Sequence, residues 1–360
     1  MVPYWKLENT VPTSKTNIPY RLEHRVSPTN KHAYYLVKDV KVNDKKINVR
    51  KFIGQQKPTT EELQKLSEQY AYEIETQAIE KEVELSTSFL KTNYLDKEKL
   101  RLLETTRFAY KKYAKLLTAD ESQVYEQNFE IQYVQGTTAI EGNTLTLSQA
   151  HDLLVNEIPP NDKTLREINE VQNFKKVKKC RDKHTGKVTL DFIKDLHSLI
   201  MNNIDYNSAG HFRRIDALAI AGCDLPITPA ELIETELKEI LHNYYLAIEK
   251  ENHPFEEAAL FHYHFEMIHP FTDGNGRVGR EIFNYMLNRS GYPRLLFLGT
   301  ERTQYIKMLK LGNEEKYKEM ITAFANLITD QRLNILIENL KKIVIPPKKS
   351  GQLRLQDFLI

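Results

Sequence analysis

His269-Pro270-Phe271-Thr272-Asp273-Gly274-Asn275-Gly276-Arg277-Val278-Gly279-Arg280 gathers a titratable base, a carboxylate, three glycines and two arginines into one short stretch. Ala258, Phe261, Phe265 and Ile268 lead into it at helical spacing, and Val278, Ile282 and Met286 resume that spacing beyond it. The periodicity predicts two helices joined by a tight turn. The turn opens the second helix, whose free N–H groups and positive dipole end attract anions. Gly274 and Gly276 let backbone approach such an anion without a Cβ in the way, and Asn275 offers a side-chain amide. Arg277 and Arg280 stand about one turn apart, so both forks can face one polyphosphate.

The alternatives for a glycine-rich turn fail on context. Gly274-x-Gly276-x-x-Gly279 also spells a dinucleotide-binding fingerprint, but that requires a buried strand before it, and a helical pattern stands there instead. The chain has no G-x-x-x-x-G-K-(S/T) phosphate loop. A second His-Pro-Phe, at His253-Pro254-Phe255, runs into Glu256-Glu257-Ala258 rather than a glycine turn, and Pro254 reads as a first-turn proline in a structural helix.

The twelve residues resemble the signature of the Fic family, H-x-F-x-(D/E)-G-N-G-R-x-x-R, with every fixed position filled. The resemblance extends over roughly residues 130 to 325. It implies a mostly α fold: a Fic-type helical core with a short β-hairpin flap. It also implies transfer of AMP from ATP to a Ser, Thr or Tyr hydroxyl of a protein, the chain itself included. In that frame His269, with an unperturbed pKa near ~6.5, accepts the hydroxyl proton. Gly274, Asn275, Gly276, Arg277 and Arg280 hold the phosphates of ATP, and Asp273 holds Mg²⁺, which takes one or two carboxylates plus substrate phosphates. The hydroxyl oxygen attacks the α-phosphate in line as pyrophosphate leaves. Some relatives move UMP, phosphocholine or phosphate instead, and departures from the signature mark some of them; this chain shows none.

Three further segments extend the resemblance. Thr137-Thr138-Ala139-Ile140-Glu141-Gly142 matches (S/T)-x-x-x-E-(G/N), an inhibitory helix whose glutamate pairs with the second signature arginine, here Arg280. Thr137 and Glu141 share a helix face, and Gly142 suits a left-handed helix stop. In some relatives the same glutamate supports removal of AMP. Leu218, Ala219 and Ile220, within a flap at about 216–224, resemble the strand on which a target segment docks by main-chain pairing; an ordinary hairpin is the plainer reading. Tyr305 corresponds to a tyrosine lying near the adenine, although a core or surface role is the default for any one of 19 tyrosines.

The rest of the chain reads as support. Residues 1–58 comprise a proline-punctuated lead-in to about residue 30 and a small antiparallel β arm around the turn Asn43-Asp44-Lys45-Lys46. Its Lys and Arg side chains resemble the nucleic-acid-touching arms of integrases; a solvated strand face, or a surface that presents target proteins, competes. Residues 59–118 read as a helical region opened by the capping box Thr59-Thr60-Glu61-Glu62, with a second helix from Asp96 to Leu117. The core spans 119–330, with Asp120 expected to cap the inhibitory helix (about 120–142). A C-terminal helix at 331–345 and a flexible tail at 346–360 follow. In the tail Gln352, Leu355, Phe358 and Leu359 match the spacing of peptides that dock on replication sliding clamps, although packing of the tail on the domain explains the pattern equally simply.

Composition narrows the class. Hydrophobic residues make up 41% and charged residues 28% of 360, which is globular, and no apolar run approaches the ~20 residues a membrane span needs. Cys180 and Cys223 are too few for a disulfide framework, and the N-terminus lacks a signal-peptide core, so a reducing, cytoplasmic setting is expected. A net charge of +2 does not by itself point to nucleic acid. The competing function class is a regulatory or nucleic-acid-associated binding module with a vestigial nucleotide pocket. The oligomeric state is not legible.

Overall fold

The computed structural model describes residues 19–216 and 228–344. Leu218, Ala219 and Ile220 of the expected flap lie outside the described residues, as do Gln352, Leu355, Phe358 and Leu359 of the tail. The described chain is mostly helical, with one small sheet. It divides into two compact units: residues up to Leu90 with Leu100–Leu116 and residues from Leu333 onward, and Lys91–Lys99 with Leu117–Arg332.

The first unit holds an antiparallel sheet in the order β1 (Arg21–Val26), β2 (His32–Val42), β3 (Lys45–Gly54). β1 lies inside the stretch expected to be a lead-in; its pairing with β2, from Arg21 opposite Val37 to Val26 opposite His32, overrides its weak period-2 pattern. Alternation places Leu36 and Val40 of β2 and Val49 of β3 on one face, where they bury against Ile74 and Ala78 of α1 (Thr60–Thr87). Thr59 caps α1 by the expected capping box with Glu62. The bulk of α2 (Lys97–Leu116) belongs to this unit, where Glu104 accepts a 2.5 Å hydrogen bond from the Ser86 hydroxyl.

The second unit carries the signature. α3 (Ala119–Ile140) is capped by Thr118 with Glu121, not by Asp120: the Thr118 hydroxyl accepts from the Glu121 N–H, which puts Asp120 inside the first turn. α4 (Leu147–His151) and α5 (Leu165–Gln172) begin with capping boxes of the same kind. α9 (Pro254–Ile268) and α10 (Asn275–Arg289) pack together, with α8 (Ile233–Glu249) against α9, α7 (Leu190–Ile200) against α10, and α6 (Phe174–Lys183) against α7. Phe261, Phe265 and Ile268 of α9 and Val278, Ile282 and Met286 of α10 are all buried, so the apolar spacing seen in sequence forms this core. Pro254 is the first residue of α9, and His253 is buried beside the Tyr292 hydroxyl, a structural role for the second His-Pro-Phe. α11 (Arg302–Asn313) is followed by α12 (Tyr317–Val344), which runs unbroken through the boundary expected between 330 and 331. No described helix is long and apolar enough to cross a membrane.

Candidate active site

α9 stops at His269, which takes a left-handed conformation (φ 49°, ψ 60°), while its N–H still donates to the Phe265 carbonyl. A non-glycine residue in that region is uncommon and needs surrounding support. Arg213 supplies it. Its Nε donates to the His269 carbonyl at 2.8 Å, its Nη2 to the carbonyls of Ile268 and Thr228, and its backbone N–H to the Pro270 carbonyl. The last carbonyls of α9 are thereby satisfied by a cation at the negative end of the helix. The His269 Nδ1 faces the Glu266 carbonyl at 3.4 Å. A carbonyl only accepts, so Nδ1 bears the proton and Nε2 keeps its lone pair. Burial, reinforced by Arg213, pushes the imidazole pKa below its ordinary value despite opposing contributions from Glu141 and Asp273. His269 is therefore neutral near pH 7, the form a general base requires.

Two side chains set the path of the loop. Asn275 is buried and stapled to Phe271: its Oδ1 accepts from the Phe271 N–H and its Nδ2 donates to the Phe271 carbonyl, both at 2.8 Å. The side chain of Asn275 is thus committed to the loop and is not a free amide for an anion. His197 of α7 stacks on the Phe271 ring, with centroids 3.7 Å apart and planes 3° from parallel. Its Nδ1 accepts from the Gly210 N–H at 2.9 Å, which leaves Nε2–H to donate to the Asp273 carbonyl at 3.0 Å. Burial drives its pKa down to about 4, so this ring stays neutral and acts as a fixed strut. Gly274, in the left-handed region at φ 79°, turns the chain into α10; a Cβ there would come 3.1 Å from the Met201 sulfur.

The charged residues follow. The Asp273 Oδ1 accepts from the Gly274 N–H at 2.5 Å and from the Arg277 Nη2 at 3.0 Å, and its Oδ2 accepts from the Arg166 Nη2 at 2.5 Å. Burial alone would raise this carboxyl, but Arg277, the Gly274 N–H and Arg166 outweigh it and hold it below the usual range. Arg277 is 1% exposed, lies 3.5 Å from Glu170, and has no hydrogen-bond acceptor for Nε or Nη1 among the described residues. Buried donors without partners are costly, and an anion seated at the helix mouth would supply acceptors. Among the described residues no cluster of three or more His, Cys, Asp or Glu could cage a metal. Asp273 is a single ionised, 41% exposed carboxylate at a helix mouth, and that donor set fits a Mg²⁺ brought by phosphates.

Arg280 points the other way from the same helix face. Its Nε donates to the Thr137 hydroxyl at 2.8 Å, and its Nη2 donates to the Thr137 carbonyl at 2.9 Å and to the Glu141 Oε1 at 2.6 Å. Glu141 ends α3, with Gly142 beyond it at φ 100°. The glutamate lies across the first turn of α10, where a Cβ on Gly276 would come 2.4 Å from its Oε1 and 2.8 Å from the Arg280 Nη1. Gly276 is thus needed for a close approach of an acidic oxygen to the helix mouth. Beneath Arg280 a buried layer closes the floor. The Tyr305 hydroxyl lies 2.9 Å from the His262 Nε2, and the Arg280 guanidinium sits 5.4 Å from the Tyr305 ring centroid. Glu266 is pushed up to about 8 and His262 down to about 3, both by burial, so their 3.9 Å contact joins two neutral groups.

The structure brings His269, Asp273, Gly274, Gly276, Arg277, Arg280, Thr137 and Glu141 to one mouth. Two expectations change. Asn275 is a loop staple, and Tyr305 is 5% exposed and supports Arg280 from below rather than offering an open face to a base. Arg166, His197, Arg213, Glu170 and Glu266 were missed, since they reach the loop from distant or differently oriented helical positions. Gly136 was missed too, although a glycine inside a helical pattern is a signal of close approach: a Cβ there would meet the Phe297 carbonyl at 2.2 Å.

Residues 187–287 match the model of the Fic/DOC family. A protein adenylyltransferase Fic of Drosophila grimshawi is 32% identical over 211 residues, covering 57% of this chain and 42% of that protein. One from Drosophila erecta is 29% identical over 248 residues, covering 68% and 48% respectively. The chain thus spans about half the length of the curated relatives it matches. Among solved structures, a Fic-domain-containing signalling protein of Bacteroides thetaiotaomicron superposes with a TM-score of 0.59 at 22% identity, over 67% of this chain and 98% of that one. Fic-1 of C. elegans superposes with a TM-score of 0.57 at 21% identity, over 78% of this chain and 86% of that one. Both likenesses concern the fold.

Proposed function

The chain carries a Fic/DOC-family domain, and from that premise we propose that it transfers AMP from ATP to a Ser, Thr or Tyr hydroxyl of a protein, its own included. The observation that carries the reading is the helix mouth itself. One loop gathers buried Arg277 donors and a neutral His269 Nε2, neither with a hydrogen-bond partner among the described residues, together with the Arg280 fork. The phosphates of ATP lie against the first turn of α10, and Arg277 supplies the donors that lack acceptors. Asp273 would hold a Mg²⁺ accompanying the phosphates, releasing the solvent-facing Arg166, and the ion would neutralise the departing pyrophosphate. His269 Nε2 takes the hydroxyl proton as the hydroxyl oxygen bonds to the α-phosphorus and the bond to pyrophosphate breaks.

Glu141 is the brake in this reading. Its carboxylate engages the Arg280 fork and lies over Gly276, on the ground the terminal phosphate would occupy. A phosphate placed there would compete with the Glu141 carboxylate for the same Arg280 Nη2 and for the space over Gly276, so productive seating of ATP requires the glutamate to leave. Because its carboxylate stands beside the same phosphate site, Glu141 could instead help water remove AMP from a modified protein.

Labelled-ATP transfer by wild type, Glu141→Gly, and Glu141→Gly with His269→Ala tests both parts. Expected are weak labelling by wild type, strong labelling by Glu141→Gly with adducts of one AMP mass, and loss of signal in the double variant. Equal labelling by wild type and Glu141→Gly would remove the brake. Nucleotide binding without transfer by Glu141→Gly would favour a binding module over an enzyme. Release of AMP from a modified protein by wild type, lost in Glu141→Gly, would assign the reverse direction.

A further inference from the structure

The sheet of the first unit has two faces of different chemistry. On the α1 side Lys38 and Lys51 are taken up by Glu75 and Glu73 of the helix, at 2.6 and 2.7 Å. The cross-strand register gathers Arg21, Arg25, Lys41, Lys46 and Arg50 on the opposite face, all exposed, together with Phe52 at 49% exposure. Among the described residues that face carries two carboxylates. Glu23 is shared by Arg21, Arg25 and Arg50, and Asp39 by Arg21 and Lys46. Five cations divided between two anions leave the face positive, and the shared carboxylates hold the guanidinium groups in fixed positions. Residues 19–54 contain nine Lys and Arg against three Asp and Glu, a formal +6, whereas the whole chain is only +2. Positive charge is therefore concentrated in the arm, and the remainder of the chain is net negative.

We propose that this open face of the sheet docks on B-form double-stranded DNA, with the strands lying in the major groove and the basic side chains on the flanking phosphates. Strands lie about 4.8 Å apart, so three span roughly 10 Å of backbone, which suits a major groove about 12 Å wide. The major groove of A-form RNA is too narrow to admit it. Phe52, and the Tyr35 ring over which Arg25 sits at 5.7 Å, offer apolar contact of the kind thymine methyl groups accept. The half-buried Asn48 lies on the same face between Arg50 and Lys46, where its amide can donate to Asp39 and accept from Arg50 and so helps to order the basic side chains. The surface is independent of the nucleotide site, and its failure would leave that assignment intact.

Fluorescence anisotropy with a labelled random-sequence duplex of about 20 base pairs, using the full chain, tests this directly. Neutralising four phosphates predicts that affinity falls on the order of 10²-fold between 50 and 200 mM salt. The double variant Lys41→Glu, Lys46→Glu should weaken binding at least tenfold at low salt and flatten the salt dependence by about two phosphate equivalents. Lys41→Gln, Lys46→Gln should give a smaller loss of the same sign. Lys238→Glu, an exposed change on α8, should leave binding unaltered, and unchanged melting temperatures should accompany all three variants. Absence of duplex binding at 50 mM salt, or equal binding by the double variant, would overturn the proposal. So would tighter binding to anionic phospholipid vesicles, to single strands or to an RNA duplex.

Discussion

α10 presents charge at both ends of its buried surface, and the two ends are built differently. At the front, Arg277 and Arg280 meet Asp273 and Glu141, acids that remain 41% and 36% exposed, and two Arg277 nitrogens have no acceptor among the described residues. Behind, Glu281 accepts from Arg181 at 2.8 Å; Arg181 also grips Glu130, and Glu130 in turn accepts from Arg294 at 2.8 Å. Those four residues are 11% exposed or less. The rear cluster ties α3 and α6 to α10; its centre is buried, and only its outlying partners, Glu126 on Arg294 and Asp182 on Arg181, reach solvent at 40% and 48% exposure. The front cluster is held by partners that can leave. Buried charge that is closed in fixes geometry, and buried charge that is left partly open binds.

The comparison predicts opposite consequences for the two ends. In the Glu141→Gly background, Arg277→Lys should lower kcat/KM for AMP transfer about 10²-fold or more while leaving the melting temperature nearly unchanged, because a lysine cannot present two parallel donors to phosphate. A large loss of stability would instead class the front arginine with the rear ones. Glu130→Gln should do the reverse. Leaving Arg181 and Arg294 short of their shared anion costs about 3 kcal/mol, roughly 10 °C of melting temperature, with transfer per folded molecule retained.

The rear cluster also sets an acid limit. Burial opposes ionisation of Glu130, yet Arg294 and Arg181 outweigh it and hold its pKa down at about 2. An unfolded glutamate titrates near ~4.3, so between about pH 4.5 and pH 2 the unfolded chain takes up a proton that the folded chain refuses. Stability present above that window is lost as pH falls through it. Denaturant titrations at pH 7, 4 and 3 should show this loss in wild type and a shallower one in Glu130→Gln; equal slopes would separate the cluster from acid stability.

The front of the site was legible because its determinants are local: glycines, arginines and a histidine within twelve residues, and Thr137 and Glu141 four apart on one helix. Apolar spacing likewise gave both flanking helices. The supports were illegible because they arrive from far along the chain: Arg166 is 107 residues from Asp273, and His197 is 76 from it. Asn275 was misread because its amide suits a backbone staple as well as an anion, and only the path of Phe271 decides between them. The displaced cap at Thr118 is a different failure. Thr118-Ala119-Asp120-Glu121 is the same kind of capping box as the one at Thr59, and Asp120 competes with Thr118 for the cap because aspartate is also a good cap. β1 was hidden because its identity depends on pairing with β2 rather than on its own alternation.

The most direct test is a crystal of the Glu141→Gly protein soaked in Mg·ATP. The account predicts phosphates against the first turn of α10, within hydrogen-bond reach of Arg277 and Arg280, with His269 Nε2 open to an incoming hydroxyl beside the α-phosphorus. Nucleotide bound elsewhere, or an empty mouth with His269 sealed from solvent, would contradict it.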